Sequence, residues 1–156
     1  LNGYTFGGGL ELALAADLRL AADHIELALP EVTIATVPGW AGTQRLPALI
    51  GVGRAKQMIL TGDRIDAATA ERWGLVNELH PQSDLLPRAM ELAQRIASNA
   101  PASVQIAKQL IDAGADGRTT NQTLEALAGA LVATTNDAQE GLAAFRERRA
   151  PQFKGS

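Results

Sequence analysis

The chain has 156 residues, of which 46% are hydrophobic and 20% are charged, and its 14 basic and 17 acidic side chains give a formal charge of −3. A chain of this length buries about two thirds of the surface of its unfolded form, so it forms a core without disulfides. The absence of cysteine excludes a disulfide scaffold, a thiolate zinc site, an iron–sulfur cluster and a cysteine nucleophile. The negative charge and the 4% aromatic content argue against nucleic acid as a partner.

Short strands and turns are predicted around one apolar helix in the first part of the chain. A strand-like segment at 1–6 leads into the glycines at 7–9, and strong helix formers at 10–18 predict a helix. This helix is apolar almost all round, which predicts that it is buried. The strands predicted after it lie at 18–22, at 25–29 and at 32–37, the last as a strand or an extended loop.

The remainder of the chain is predicted to be mainly helical. A helix at 42–60 is interrupted at Pro47 and at 51–53, and a short helix at 67–73 ends at Gly74, before a strand at 75–77. Amphipathic helices follow, at 85–99, 101–114, 121–133 and 137–149. This change in composition predicts two domains, residues 1–81 and 82–156. Apolar runs are far shorter than the roughly 20 residues that cross a bilayer, so no membrane association is expected.

Two glutamates stand in apolar surroundings where a carboxylate adds nothing to packing. Glu11 interrupts the apolar helix, and Glu31 lies between Leu29-Pro30 and a β-branched segment. An ionised carboxylate there needs compensation for lost hydration. Glu11 is either a helix-start residue stabilised by the helix dipole or a functional acid, and Glu31 is either a solvent-facing strand-edge residue or a functional acid. If they share a pocket, one acts as general base and the other as general acid.

The glycines at 7–9 predict a third component of such a site. Glycine before a helix lets the backbone approach a ligand and directs free N–H groups at developing negative charge, which is the geometry of an oxyanion hole. A plain tight turn is the alternative. The segment 51–56 has Lys56 where a dinucleotide fingerprint needs its third glycine, and His24 and His80 are interpreted as surface turn residues, so neither a metal site nor a catalytic triad is predicted.

Ordered motifs along the chain resemble those of one family. The segments that carry the resemblance are 2–13 (NGYTFGGGLELA), 29–31 (LPE), 38–46 (PGWAGTQRL), 60–62 (LTG), 74–76 (GLV) and 145–154 (FRERRAPQFK). Together they are similar to the enoyl-CoA hydratase (crotonase) superfamily, over essentially the whole chain. The resemblance implies an α/β fold: a crotonase-like spiral core of strand-strand-helix turns at 1–81, followed by a helical oligomerisation region at 82–156.

The resemblance covers only the later part of such a protein. Since Leu1 rather than Met begins the chain, we expect the sequence to lack an N-terminal portion. In the family that portion supplies most of the coenzyme A cleft and the second amide of the oxyanion hole. The expected setting is the cytoplasm, with the mitochondrial matrix as an alternative.

Carried over by position, the resemblance implies that Glu11 and Glu31 are the catalytic carboxylates of a hydratase and that Gly8 donates an oxyanion-hole N–H. The two carboxylates would hold one water, whose oxygen and a proton add to carbons three and two of a 2-enoyl-CoA thioester. The thioester is the substrate, and no metal or other cofactor is expected. Glutamate at both positions favours hydration, while an enoyl-CoA isomerase, an inactive fragment and a nucleotide-binding module remain as alternatives.

The resemblance also implies substrate-binding positions and an oligomer. Gly39 and Trp40 match the acyl pocket, where the bulky indole predicts a short or medium acyl chain. Phe145, Phe153 and Lys154 match positions near the nucleotide end of coenzyme A, with a solvated basic helix face as the alternative interpretation of the neighbouring arginines. The helical region matches the family's trimerisation region, which implies a homotrimer or a dimer of trimers.

Overall fold

Strands and helices alternate in the first part of the chain, and helices alone form the rest. The computed structural model describes residues 1–115 and 122–156, which divide into the units Leu1–Met90 and Glu91–Ser156. The strands are β1 (Thr5–Phe6), β2 (Leu20–Ala22), β3 (Glu26–Ala28), β4 (Ile65–Asp66) and β5 (Glu78–His80). The helices are α1 (Gly8–Leu14), a 3₁₀ helix (Glu31–Ile34), α2 (Gly42–Ile50), α3 (Val52–Thr61), α4 (Ala67–Arg72), α5 (Gln82–Ala97), α6 (Pro101–Ala115), α7 (Gln122–Ala133) and α8 (Asn136–Glu147).

The strands of the first unit form two small sheets. β3 lies between β1, which is parallel to it, and β4, which is antiparallel. β2 pairs in parallel with β5 in the second sheet. The predicted strands at 18–22 and 25–29 therefore exist, as β2 and β3, but they belong to different sheets. β3 is the centre of the core, because Leu27 and its neighbours Ala28 and Leu29 are almost completely buried.

The helix α1 differs from its prediction at both ends and in burial. It begins at Gly8 and ends at Leu14, well before residue 18. Leu10 and Leu14 are buried on one face, whereas Leu12 on the other face is 74% exposed. The expectation that the helix is buried therefore holds for one face only. Residues three and four apart share a helix face, so only one side of a seven-residue helix reaches the core.

The segment predicted as a strand or extended loop at 32–37 instead begins as the 3₁₀ helix. The backbone N–H and the hydroxyl of Thr33 both donate to the Pro30 carbonyl, at 2.9 and 2.7 Å, and close a turn. Ala35 ends the turn in the left-handed region, with φ 60°. These short-range bonds outweigh the β preference of the branched side chains.

The strand predicted at 75–77 is displaced along the chain. Leu75 and Val76 both donate their N–H groups to the Ala70 carbonyl in the turn that follows α4, and the strand begins at Glu78. His80, interpreted from the sequence as a surface turn residue, is half-buried in β5. The predicted end of α4 is confirmed, because Gly74 adopts φ 82° just after it.

The second unit contains the C-terminal helices. The predicted helices at 85–99, 101–114 and 137–149 correspond to α5, α6 and α8, and that at 121–133 corresponds to α7, with residue 121 outside the described residues. The boundary between the two units falls inside α5, and the domain division at residue 81 stays a prediction. Within the described ranges, every helix is too short or too polar to span a bilayer.

Candidate active site

Glu11 is the most buried of the predicted site residues, with 4% of its surface exposed. It lies in the first turn of α1, and its Oε1 atom accepts hydrogen bonds from the backbone N–H groups of Trp40, at 2.7 Å, and Gly42, at 2.8 Å. Two N–H donors stabilise the negative charge of a buried carboxylate. The hydration that the Glu11 carboxylate loses on burial is therefore replaced by N–H donors from a turn far along the chain, in addition to the favourable start of helix α1.

The turn that supplies these donors has an unusual backbone. Ala41 adopts φ 72° at the start of α2, in the left-handed region that non-glycine residues rarely occupy. This conformation lets the N–H groups on either side of Ala41 converge on one oxygen. Gly42 must lack a side chain, because a Cβ there would lie 2.9 Å from Oε1 and 3.0 Å from Cγ of Glu11. The backbone of the turn thus fixes the direction of the Glu11 carboxylate.

Glu31 is the first residue of the 3₁₀ helix, and its carboxylate lies against the glycine segment. Its Oε1 would be 3.3 Å from a Cβ placed on Gly7. Its Oε2 is buried and has no hydrogen-bond partner among residues 1–115 and 122–156. A buried carboxylate oxygen without a partner is costly unless a ligand or water bonds to it.

Gly8 is the first residue of α1, three positions before Glu11. Gly7 precedes it with φ 54°, and Gly7 accepts a hydrogen bond from the Glu11 N–H at 3.0 Å. The first N–H groups of a helix have no partner within the helix, so the Gly8 N–H is available. The indole of Trp40 covers the other side of Gly8, where a Cβ would lie 2.9 Å from Cζ3.

A cavity of about 390 Å³ brings part of the predicted site together. Gly8, Glu11 and Trp40 line it, together with Leu12 and Arg45. Glu31 does not line this cavity, although it touches the same glycine segment. A cavity wall with a buried carboxylate, an available N–H and an aromatic ring is suited to proton transfer beside an apolar substrate.

The chain has relatives among known proteins. A family model described as enoyl-CoA hydratase/isomerase matches residues 1–156.

The chain belongs to the enoyl-CoA hydratase/isomerase family.

Relatives in this family carry the names hydratase, dehydratase and hydratase/isomerase. The chain is 44% identical to enoyl-CoA hydratase domain-containing protein 2, mitochondrial, of Mus musculus, covering 99% of the chain and 54% of that protein. It is 44% identical to (E)-benzylidenesuccinyl-CoA hydratase of Thauera aromatica, covering 100% of the chain and 61% of that protein. It is 40% identical to carnitinyl-CoA dehydratase of Salmonella typhi, covering 99% of the chain and 61% of that protein. The chain thus spans little more than half the length of these relatives.

The predicted crotonase-like fold is confirmed by a solved relative. The crystal structure of enoyl-CoA hydratase from Bacillus anthracis superposes with a TM-score of 0.93 at 48% identity, over 98% of this chain and 60% of that chain. The mixed strands and helices of the first unit and the helices of the second therefore follow the family's architecture.

The other predicted residues are not all gathered at this cavity. Gly39 is exposed beside Trp40, and a Cβ on it would meet nothing within 4 Å. Phe145, Phe153 and Lys154 belong to the second unit of this family member. Phe145 is 82% exposed, and the ring of Phe153 packs on Gly141.

Two residues that form hydrogen bonds to predicted site residues were not anticipated from the sequence: Gly42 and Asp137. Gly42 bonds to Glu11 across 31 positions, and Asp137 bonds to the backbone of Lys154 across 17. Such bonds have no local sequence signal, although the motif 38–46 contains Gly42. In the described part of the chain, His, Asp and Glu side chains form no cluster of three that could hold a metal ion.

Proposed function

We propose that this chain carries the two catalytic carboxylates of an enoyl-CoA hydratase, a lyase that adds water across the 2,3 double bond of a 2-enoyl-CoA thioester. The observation that supports it is the placement of two carboxylates near the start of α1: Glu31 lies against Gly7, and Glu11 lines a cavity together with Gly8. Membership of a family whose relatives are named hydratase and dehydratase agrees with this chemistry.

In the proposed reaction, Glu11 and Glu31 bind one water between them. One carboxylate removes a proton from the water as its oxygen bonds to carbon three, and the other, protonated, donates a proton to carbon two. The Oε1 atom of Glu11 is committed to two backbone N–H groups, which leaves Oε2 for the water. The unpartnered Oε2 of Glu31 is the corresponding atom of the second acid.

Negative charge builds on the thioester oxygen as the new bond forms. We assign the Gly8 N–H as one donor to that oxygen, with the second donor in an N-terminal portion of the protein. Removing one such donor from an enzyme typically lowers the rate by about 10² to 10³. On this proposal the chain alone is severely impaired, and the complete gene product is active.

The acyl specificity follows from Trp40. Its indole is 72% exposed and forms a wall of the cavity beside Glu11 and Gly8. A bulky ring at this place shortens the space for the acyl chain, so the proposed substrates have short or medium chains. The neighbouring Gly39 leaves the turn open to the substrate.

The second candidate is an enoyl-CoA isomerase, which moves the double bond with one working carboxylate. It is favoured by one observation: Glu11 lines the cavity and Glu31 does not. Product analysis with a 3-enoyl thioester separates the two. An isomerase converts it to the 2-enoyl thioester without water uptake.

The proposed function is tested by the steady-state hydration of a short trans-2-enoyl-CoA. Glu11→Gln and Glu31→Gln in the complete gene product should each lower turnover by about 10² to 10⁴. Glu26→Gln is the matched control, because Glu26 forms an exposed ion pair with Arg64 away from the cavity. Unchanged turnover in either site variant removes that residue from the mechanism.

The remaining proposals concern substrate binding and assembly. Phe145, Phe153 and Lys154 are proposed to contact the nucleotide end of coenzyme A. A homotrimer or a dimer of trimers is proposed, supported by the exposed Leu124, Leu127 and Leu131 on one face of α7. Sedimentation equilibrium tests the assembly, and a monomer at micromolar concentration contradicts it.

A further inference from the structure

The backbone of Trp40 is hydrogen-bonded on both sides. Its N–H donates to Oε1 of Glu11 at 2.7 Å, and its carbonyl accepts a hydrogen bond from Nη1 of Arg45 at 3.1 Å. The backbone N–H of Arg45 also donates to the Ala41 carbonyl, at 2.9 Å. Arg45 therefore holds the turn at 40–42 by two bonds, one from its side chain and one from its backbone.

The turn at 40–42 has a conformation that its surroundings must maintain. Ala41 adopts φ 72°, and a non-glycine residue stays in the left-handed region only where other contacts hold it there. The side chains before Ala41 bury little, because Gly39 has none and Trp40 is 72% exposed. The hydrogen bonds to Glu11 and Arg45 therefore carry much of this role.

Arg45 is well placed to hold the turn, because the helix that carries it is anchored in the core. The neighbouring Leu46 is completely buried and Ile50, one turn further along α2, is 4% exposed. Arg45 itself is exposed, and its planar guanidinium offers several N–H donors in a fixed arrangement. The bond to the Trp40 carbonyl thus connects the turn to a helix that cannot shift easily.

We propose that Arg45 is a positioning residue for Glu11. Its bond to the Trp40 carbonyl holds the backbone whose N–H directs the Glu11 carboxylate. This inference rests on the proposed function, because that function makes Glu11 a catalytic residue. Arg45 does not touch the reacting atoms and acts through Trp40.

The cavity offers a competing role for the same side chain. Arg45 lines the cavity that Glu11 and Trp40 also line, so its guanidinium could contact the substrate directly. The two roles differ in kinetics. Loss of a substrate contact made equally in the ground state and the transition state raises KM and leaves kcat unchanged, whereas a misdirected catalytic carboxylate lowers kcat.

The first experiment compares Arg45→Met with Arg54→Met in the complete gene product. Both arginines are exposed on neighbouring helices, but Arg54 lies over the ring of Trp73, 5.5 Å from its centroid. Arg45→Met should lower kcat for a short trans-2-enoyl-CoA roughly fivefold to tenfold and change KM less than about twofold. Arg54→Met should change neither. An unchanged kcat in Arg45→Met overturns the proposal, whether or not KM rises.

The second experiment repeats Arg45→Met in the Glu11→Gln background. If Arg45 acts by directing Glu11, its loss should have no further effect on turnover once the carboxylate is gone, so the two substitutions are not additive. A loss of general stability would lower turnover by the same factor in both backgrounds. That additive result would show a structural role only, and the inference would be wrong.

Hydrogen exchange at the Trp40 N–H separates this inference from the proposed function, because it requires no turnover. Exchange should accelerate in Arg45→Met and not in Arg54→Met, since the first variant loosens the bond to Glu11. If the complete gene product hydrates no enoyl thioester but shows this acceleration, the proposed function fails and the role of Arg45 in holding Glu11 stands. If exchange matches the wild type in both variants, that role fails.

Discussion

The Oε1 atom of Glu11 is joined to the backbone N–H of Gly42 by a hydrogen bond of 2.8 Å across 31 residues of sequence. The Trp40 N–H donates to the same oxygen at 2.7 Å. The direction of this carboxylate is therefore set by the turn before α2. A change in that turn should alter catalysis without touching the acid.

Gly42→Ala tests this dependence. The new Cβ would lie 2.9 Å from Oε1 of Glu11 and 3.2 Å from Cδ1 of Leu29, so the carboxylate must move. Overpacking of this kind costs about 1 to 3 kcal/mol of stability. Displacing a catalytic group by about 1 Å lowers turnover by about 10²-fold. Denaturant unfolding and steady-state hydration measure the two effects.

Gly53→Ala is the matched control for this substitution. Gly53 lies in α3, and a Cβ there would meet nothing within 4 Å. Alanine is favoured over glycine in a helix by about 1 kcal/mol, so the control should be neutral or slightly more stable, with unchanged turnover. If both variants lose activity equally, the contact with Glu11 is not the cause.

Gly8→Ala should be rescued by Trp40→Ala. The added Cβ would lie 2.9 Å from the indole of Trp40, so Gly8→Ala alone should destabilise the protein and push the ring aside. Removing the ring removes the clash, and a double-mutant cycle should give a favourable coupling of about 1 kcal/mol. Gly9→Ala meets nothing within 4 Å and serves as the control. Additive effects of the two substitutions would refute the contact.

Trp40→Ala should also change the preference for acyl length. If the indole limits the acyl space, its removal should raise kcat/KM for long-chain relative to short-chain 2-enoyl thioesters by about tenfold, equivalent to about two buried methylene groups. Assays with a homologous series of thioesters measure the ratio. An unchanged ratio with lower activity throughout would mean that Trp40 does not set the chain length.

The stability of the first unit should fall in acid because of Glu78. Its carboxylate accepts a hydrogen bond from Arg88, which has the larger effect, and one from His80. Together they lower its pKa from 4.5 to about 2. A pKa lowered in the folded state adds stability that is fully present above the unfolded pKa and is lost as the pH falls from about 4.5 to about 2. In Glu78→Gln, thermal melts should show a smaller loss over that window.

Arg88→Gln provides an independent measure of the same effect. It removes the first cause of the lowered pKa and keeps the carboxylate, so it should also weaken the acid dependence. Wild-type acid dependence in both variants would show that other carboxylates govern the transition.

Local contacts explain both a correct and an incorrect prediction from the sequence. Asp66 caps α4 by accepting the Thr69 N–H at 2.7 Å, and Gly74 follows the helix with positive φ, so the short helix at this place is predicted correctly. The β preference of 32–37 is misleading, because Thr33 bonds to Pro30 and closes a 3₁₀ turn. In such short segments a single side-chain bond decides between alternatives of similar energy.

The order of residues is enough to identify the chemically unusual positions: Glu11 and Glu31 in apolar surroundings, the glycines at 7–9 and the indole of Trp40. Their orientations depend on the folded chain. Glu11 is held by a turn far along the chain, Glu31 lies against Gly7 and outside the cavity that Glu11 lines, and Asp137 binds the tail. Local patterns follow the periods of helices and strands, whereas a buried charge is satisfied by whichever backbone donors the folded chain brings to it.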